Sequence, residues 1–180
     1  MNYLKNLCSY FKKTEQTQEF VAAGIVFTDG KLMLAGYQPK KTHPYISGIG
    51  GSKKNNETPQ DTAIRETLEE IFDIEIVKED MLDLIKKNII PGKTVKNGSY
   101  VCFVYSFNDL EKLLNIVKYS GLRSPLYNQI PTTLSDLILN RYTTNESEIS
   151  HLCLLPLVKH NSKNPLVDKN LIKDISQIVE

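Results

Sequence analysis

The sequence predicts a single α/β domain in which a mixed β-sheet lies between layers of helices. Apolar segments of strand length stand both before and after one acidic helix, and an amphipathic helical pattern closes the chain. A length of 180 residues suits one domain with a substantial core. The sequence contains no repeat, low-complexity tract or linker, so residues 1–180 are expected to fold as one unit.

Composition and charge exclude several classes of protein. The apolar fraction of 41% and the charged fraction of 24% are ordinary for a globular protein. The net charge is +1, so no overall positive field indicates a nucleic-acid partner, although a local basic patch is still possible. Cys8, Cys102 and Cys153 are widely spaced, which predicts buried thiols in a reducing compartment and no zinc site. Because the sequence lacks a signal-like apolar run and the ~20 apolar residues of a membrane span, we expect a cytoplasmic protein.

The start of the chain carries apolar side chains at helical spacing with lysines between them. This pattern predicts an amphipathic helix within residues 1–15. Such a helix usually packs on its own domain. Attachment to a membrane surface or to a partner is the weaker alternative.

Three strands are predicted before the acidic helix. Residues 20–27 form a buried run, Asp29-Gly30 is a two-residue hairpin turn, and residues 31–37 pair back on the first strand. A short strand follows at residues 45–48. The loop before it contains basic side chains that could contact substrate phosphate, although a solvated loop is the favoured interpretation. These side chains are Lys40, Lys41 and His43.

The acidic helix is predicted from its capping signals and from the distribution of its side chains. Thr58 is the expected N-cap, Pro59 fits the first helical position, and Asp61 completes a variant of the capping box. At about 100° per residue, three carboxylates share one face of residues 60–72 and aliphatic side chains share the opposite face. The carboxylates are those of Glu66, Glu69 and Glu70, and the aliphatic residues are Ile64, Leu68 and Ile71.

The aliphatic face predicts core packing, but the acidic face needs a further explanation. Like charges three and four residues apart destabilise a helix by a few tenths of a kcal/mol per pair. A divalent cation would convert this repulsion into attraction, and hard cations such as Mg²⁺ prefer oxygen ligands. A solvated acidic face is the alternative, and the helix alone does not decide between the two.

The second half of the chain is expected to contain further strands and a C-terminal helix. The hairpin signal Asn97-Gly98 introduces the clearest central strand, which is apolar along its length. The expected elements are strands at residues 74–77, at the end of the mixed segment 81–90, at 100–107 and at 147–157, and a helix at 165–179.

Residues 109–145 form a helical insertion between the last two strands. The insertion is longer than an ordinary connection of about 2–6 residues and contains helical patterns at residues 109–118 and 132–141. Aromatic and basic side chains of the insertion could stack on a base or contact phosphate, which would give the insertion a role in substrate choice. These side chains are Tyr119, Arg123, Tyr127 and Arg141. A brace that covers the sheet and touches no ligand is the alternative.

The segment from Gly51 to Asp73 resembles the Nudix box, whose pattern is G-x5-E-x7-R-E-U-x-E-E-x-G-U, with U a bulky aliphatic residue. Thr67 departs from the pattern where an aliphatic residue is usual, and Phe72-Asp73 stands where the family has glycine and an aliphatic residue. Asp73 tolerates the left-handed conformation that closes a helix, so the acidic face is unaffected. The matching residues are Gly51, Glu57, Arg65, Glu66, Glu69 and Glu70.

This resemblance implies an α/β/α sandwich that hydrolyses nucleoside diphosphates linked to another moiety. It also implies Mg²⁺, with Mn²⁺ as a substitute, bound by glutamates and by the carbonyl of Gly50. Arg65 would orient the glutamates, Glu57 would reach the metal or Arg65, and Glu70 is our choice of general base. The implied metal ligands are Gly50, Glu66, Glu69 and Glu70, and the implied catalytic residues are Glu57, Arg65, Glu69 and Glu70.

The expected substrate is a small nucleotide derivative, and two alternatives stay open. Residues 145–149 loosely resemble the corresponding stretch of decapping Nudix enzymes from large DNA viruses, which would make capped RNA the substrate. Glu146 and Glu148 of this stretch are candidates for an additional ligand or base, with ordinary exposed acids as the alternative. A non-catalytic nucleotide-binding module is less favoured, because such modules usually lose box glutamates and this chain keeps all of them.

Overall fold

The computed structural model describes residues 19–39, 43–144, 147–159 and 165–180. The amphipathic helix expected within residues 1–15 lies outside the described residues, as do Lys40, Lys41 and Glu146. The described residues form a mixed sheet with helices on both of its faces, which confirms the predicted fold class.

The described part of the chain contains seven strands and five helices, most of them within a few residues of the predicted positions. The strands are β1 (Ala22–Thr28), β2 (Leu32–Gln38), β3 (Tyr45–Ser47), β4 (Ile49–Ser52), β5 (Lys93–Asn97), β6 (Tyr100–Ser106) and β7 (His151–Pro156). The helices are α1 (Pro59–Phe72), α2 (Glu79–Asn88), α3 (Phe107–Tyr119), α4 (Leu134–Leu139) and α5 (Lys169–Ile178).

β1 lies at the centre of the sheet and gives it its mixed character. The strand order is β3-β2-β1-β6-β5, with β4 paired to β1 and β7 paired to β2. β1 runs parallel to β6 over its whole length, whereas its pairs with β2 and β4 are antiparallel. Because β2 meets β1 only at Thr28, the remainder of that edge is open to β4. This arrangement brings Gly50 and Gly51 to the middle of the sheet.

Alternating side chains of the central strands build a separate core on each face of the sheet. Ile25 and Phe27 of β1 belong to the core that contains α1 and α3. Val26, which lies between them, belongs to the opposite core with Ile172 and Ile175 of α5. The two helical layers therefore enclose the sheet as an α/β/α sandwich.

The helix α1 begins and ends as its sequence predicts. The Thr58 hydroxyl accepts a hydrogen bond from the Asp61 amide, and the Asp61 carboxylate accepts one from the Thr58 amide, with Pro59 in the first turn. The helix ends at Asp73, which adopts the left-handed conformation with a φ of 57°. The local sequence thus determines both ends of the helix that carries the acidic face.

The helical insertion contacts the C-terminal end of α1. The last turn of α1 has no basic residue of its own. Arg141 donates hydrogen bonds to the carbonyls of Glu70 and Ile71, and the Ser124 hydroxyl donates one to the carbonyl of Phe72. These contacts satisfy carbonyls that a helix end leaves open, and the guanidinium charge complements the helix dipole.

Two predictions for the segment after α1 are wrong. Residues 74–77 form no strand, because the Ile74 amide bonds to the Leu68 carbonyl as part of the helix end. Residues 81–90 do not end in a strand, because most of them belong to α2. The first turn of α2 carries two acids and its last turn carries two lysines, an order of charges that favours a helix through its dipole and that the strand interpretation neglected.

Among the described residues, no helix is both long and apolar enough to cross a membrane. The longest helix, α1, has 14 residues, whereas a span needs roughly 20 apolar residues.

Candidate active site

Arg65 lies at the centre of the polar network on α1. Its side chain is buried, and Nε donates to Oε1 of Glu57 at 2.6 Å. Nη1 contacts Oε1 of Glu66 at 2.8 Å and Oε2 of Glu69 at 3.0 Å. Nη2 donates to the Ser52 carbonyl at 2.8 Å, which joins α1 to β4. One planar cation therefore fixes three carboxylates and a strand in one arrangement.

The charges of this network stabilise one another. Burial lowers the pKa of Arg65, but hydrogen bonds to Glu57 and Glu66 outweigh burial and raise this pKa above its ordinary value. Burial raises the pKa of Glu57, but hydrogen bonds from Arg65 and two further donors outweigh it and lower this pKa. The further donors are the Lys54 amide at 2.9 Å and the Thr62 hydroxyl at 2.8 Å. Glu57 is therefore ionised, and its contacts are those of a residue that positions Arg65.

Glu66 lies against the backbone of β4 at Gly51. A Cβ atom at position 51 would lie 2.4 Å from Oε2 of Glu66, so any larger residue would displace this carboxylate from its observed position. Burial raises the pKa of Glu66, and the neighbouring Arg65 partly offsets this effect. The glycine that opens the motif thus has a steric explanation in the fold.

Glu70 is the carboxylate of α1 with the strongest desolvation. Its Oε2 accepts a hydrogen bond from the amide of Gly50 at 2.8 Å. Burial raises the pKa of Glu70 well above its ordinary value, the Gly50 amide partly offsets this effect, and nearby carboxylates, first that of Glu148, raise it further. Gly50 has a φ of 153°, and a Cβ atom there would lie 2.5 Å from Cα of Gly24. The family resemblance implies a role for the carbonyl of Gly50, and the structure shows its amide in contact with Glu70.

A cleft of about 180 Å³ opens beside these carboxylates. Its walls come from α1, from the segment that follows α1 and from the segment that precedes β7. The fold therefore brings Glu148 to the acidic face, although the two are far apart in the chain. The lining residues are Glu66, Glu69, Glu70, Asp73, Glu75, Ser147 and Glu148.

The donors of this cleft fit a hard divalent cation. Its charged donors are carboxylate oxygens, which are the ligands that Mg²⁺ and Mn²⁺ prefer. Within the residues that the structure describes, no three acidic, histidine or cysteine side chains converge as a ready metal-ligand group. One carboxylate oxygen of Glu66 and one of Glu69 contact Arg65. Each of these side chains has a second oxygen, and both residues line the cleft.

The remaining sequence-derived candidates lie apart from the cleft. His43 is exposed in the loop before β3, and Arg123 is exposed beside another cavity whose lining includes no carboxylate of α1. Tyr127 is buried, its ring packs on Phe72, and its hydroxyl donates to the Leu137 carbonyl. A ring in this position has little surface left for a ligand. We therefore interpret Tyr127 as a packing residue of the insertion instead of a substrate contact.

Arg141 holds the site together from outside the motif. Besides its bonds to the end of α1, its Nη2 donates to the carbonyl of Ile149 at 2.9 Å. Ile149 directly follows Glu148, so one guanidinium joins the acidic helix to the segment that carries the additional acid. Spacing in the sequence gives no signal for this role, because the contact joins positions that only the fold brings together.

Comparison with known proteins adds a family and several similar structures. The NUDIX domain family matches residues 19–119. No curated protein sequence matches the chain at a significant level.

Three solved structures illustrate the structural similarity. A bifunctional NMN adenylyltransferase/ADP ribose pyrophosphatase from Francisella tularensis has 15% identity and a TM-score of 0.45, with 99% of this chain and 45% of that chain covered. This chain thus spans less than half of the Francisella protein. A NUDIX hydrolase from Nitrosomonas europaea has 14% identity and a TM-score of 0.44, with 88% of this chain and 86% of that chain covered. A C. elegans Ap4A hydrolase has 14% identity and a TM-score of 0.40, with 88% of this chain and 96% of that chain covered.

Proposed function

The chain belongs to the Nudix family of pyrophosphohydrolases, and from this we propose that it hydrolyses the P–O–P bridge of a nucleoside diphosphate linked to another moiety, with Mg²⁺ as cofactor and Mn²⁺ as a substitute. The observation that carries the proposal is the Arg65 network. A single buried guanidinium arranges Glu57, Glu66 and Glu69 around one side of α1. A solvated acidic face would not need a buried cation to order it.

The metal would be bound by Glu66, Glu69 and Glu70 together with the carbonyl of Gly50. When bound, the ion supplies a Lewis acid that polarises the phosphate bridge and makes a bound water more acidic. Phosphoryl transfer depends mainly on such charge neutralisation and on positioning. The cleft beside α1 provides a concentration of carboxylate oxygens for this purpose.

The residues of the chain itself orient the reaction and accept its proton. Arg65 holds Glu66 and Glu69 by direct contacts, and Glu57 holds Arg65 in turn. Glu70 is the general base in this proposal, with Glu148 as a further acid at the cleft. Burial raises the pKa of Glu70, which makes its carboxylate a stronger proton acceptor. The Gly50 amide fixes Oε2 of that carboxylate.

Glu69→Gln tests the assignment of the acidic face. Glu69 is partly exposed and its side chain leaves the core intact, so the variant is expected to fold while turnover falls by about two orders of magnitude or more. The assay uses nucleoside triphosphates, nucleotide sugars, dinucleoside polyphosphates and capped RNA, each with Mg²⁺, with Mn²⁺ and with a chelator. Capped RNA belongs in the panel because the sequence leaves decapping open as an alternative.

Glu75→Gln is the matched control. Glu75 lines the same cleft but is exposed and lies outside the motif, so this variant should keep near-normal turnover. Equal losses of turnover in Glu69→Gln and Glu75→Gln would show that activity depends on the total negative charge of the cleft and not on the motif glutamates. Absence of turnover for every substrate and metal would overturn the enzymatic proposal in favour of a nucleotide-binding module.

A further inference from the structure

A larger cavity adjoins the acidic cleft. Its volume is about 560 Å³, within the range of pockets that hold small molecules, and it lies between the ends of β2 and β3, the β5–β6 hairpin and α5. Glu148 lines both this cavity and the cleft, and Gly50 also belongs to the cavity wall. The two spaces therefore share a wall at Glu148. We call this cavity the side pocket.

Gln38 brings a buried amide to the side pocket. It is the last residue of β2, is 5% exposed and forms part of the pocket lining. Among the described residues, the buried side-chain atom that has no hydrogen-bond partner is Nε of Arg141, so the Gln38 amide is not an orphaned group. As a lining group of the pocket, this amide can donate to or accept from a polar ligand there.

Asp174 brings a carboxylate to the same pocket from α5. It is 5% exposed, and its contact with the fold is a long hydrogen bond of 3.4 Å from the Asn97 side chain to Oδ1. Burial raises the pKa of Asp174 to about 6, so the group is ionised at neutral pH. An ionised carboxylate is an acceptor only, with about four acceptor positions on its two oxygens. Most of this capacity is available to a ligand with N–H donors.

We propose that the side pocket binds the base of a guanine nucleotide, with the Asp174 carboxylate accepting hydrogen bonds from N1–H and the 2-amino group and the Gln38 amide donating to O6. This inference rests on the proposed function, because the phosphates of the same nucleotide lie at the acidic cleft. Among the four RNA bases, guanine places two N–H donors side by side on one edge. Adenine and cytosine place an acceptor beside the amino group, and uracil places a carbonyl on each side of its N–H.

The test compares two nucleotides that differ only in the proposed contact. Inosine 5′-triphosphate lacks the 2-amino group of guanosine 5′-triphosphate and keeps N1–H and O6. A site built to pair with a substrate amino group discriminates strongly against an analogue that lacks it. We expect the wild-type protein to prefer the guanosine nucleotide in kcat/KM by about tenfold or more. Adenosine 5′-triphosphate should rank below both.

Asp174→Asn keeps the shape of the side chain but replaces one acceptor by a donor. The guanosine-to-inosine ratio should fall to about one in this variant, and both kcat/KM values should decrease, because the N1–H contact to Asp174 is common to both nucleotides. Asp168→Asn is the matched control, because Asp168 lines the same pocket and loses the same charge. Asparagine is also a good N-cap, so the cap that Asp168 gives α5 is preserved. The nucleotide preference should persist in this control.

Calorimetric titration of guanosine and inosine 5′-diphosphates, with a chelator present, gives a second readout that needs no turnover. Tighter binding of the guanosine compound, lost in Asp174→Asn and kept in Asp168→Asn, supports the proposal even if the hydrolase function fails. Measurable turnover with no guanosine preference, or a preference that survives Asp174→Asn, overturns the base assignment and leaves the hydrolase function intact. Equal or absent binding of both diphosphates, without turnover, overturns the assignment as well.

Discussion

Asp174 and Glu70 are buried carboxylates that make the fold less stable than neutral side chains would in the same places. Burial is the largest influence on each and raises both pKa values. An acid with a raised pKa binds its proton more tightly in the folded state than in the unfolded chain. Both side chains line cavities. Each buried carboxylate therefore lowers the stability of the fold at a position where a bound ligand or cation can neutralise its charge.

The stability of Asp174→Asn relative to wild type should depend on pH. The pKa of Asp174 is about 6 in the folded state, against an ordinary value of 3.8. Between these values the folded state binds more protons, so the wild-type protein loses stability as pH rises from about 4 to about 6. Melting temperatures should therefore coincide at pH 4, and the variant should melt a few degrees higher at pH 8.

The groups that surround Asp174 do not reverse this sign. Asp168 raises its pKa further, whereas Asn97 and Lys173 lower it without cancelling the effect of burial. Tyr100 and Cys102 are buried on β6, and desolvation raises the pKa of each above its ordinary value, so both are neutral in this pH range. A variant that melts lower than wild type at pH 8 would show that the carboxylate has a compensating partner.

At the scale of elements, the insertion and α1 form one mechanical unit. Arg141 and Ser124 bind the last carbonyls of α1, and Arg141 also binds the segment before β7. These contacts support the interpretation of the insertion as a brace. The aromatic ring of Tyr127 packs against the guanidinium of Arg141. We therefore propose that the insertion acts on catalysis through the position of the acidic helix.

Arg141→Met should lower the free energy of unfolding by about 2–4 kcal/mol, because three carbonyls lose a charged donor. Thermal melts measure this loss, and assays on two substrates measure any change in their ranking by kcat/KM. The ranking should stay the same. Arg123→Met is the control with the same change at an exposed position of the insertion, and it should affect neither quantity. An altered ranking with an unchanged melting temperature would instead support a direct role of Arg141 in substrate choice.

Elements with local signals were predictable from the sequence, whereas contacts between distant segments were not. The caps of α1, its acidic face and its left-handed end at Asp73 follow from residue type and spacing. The same holds for the hairpin at Asp29-Gly30, where the Asp29 side chain accepts hydrogen bonds from the next two amides. The role of Arg141 and the place of Gln38 in the side pocket depend on how β7 and α5 return to the sheet, and no local sequence pattern encodes this return.

At the scale of the molecule, we expect metal binding at the acidic cleft to stabilise the whole fold. Several carboxylates repel one another there, so an ion that binds only the folded state should raise the melting temperature. We expect Mg²⁺ to raise the melting temperature of the wild-type protein by a few degrees at pH 8. Sodium chloride at equal ionic strength controls for simple screening of the charges.

The shift should be lost in Glu66→Gln and retained in Glu75→Gln, because only the former removes an assigned ligand. This readout is independent of the choice of substrate. A shift that sodium chloride reproduces in full would show that the acids are screened and not ligated, and it would remove the metal from the proposed mechanism.

The pairing of β2 with β7 has a consequence for how the protein is made. β2 lies near the beginning of the described chain and β7 near its end, and the parallel pair of β1 with β6 also spans a long loop. Contacts of this kind form slowly, since loop closure must precede them. A ribosome that has translated all of α1 has therefore produced the complete motif but not the brace or the last strand. During synthesis the edge of β2 that pairs with β7 therefore stays unpaired. The acidic cleft is complete only when the final third of the chain has emerged from the ribosome.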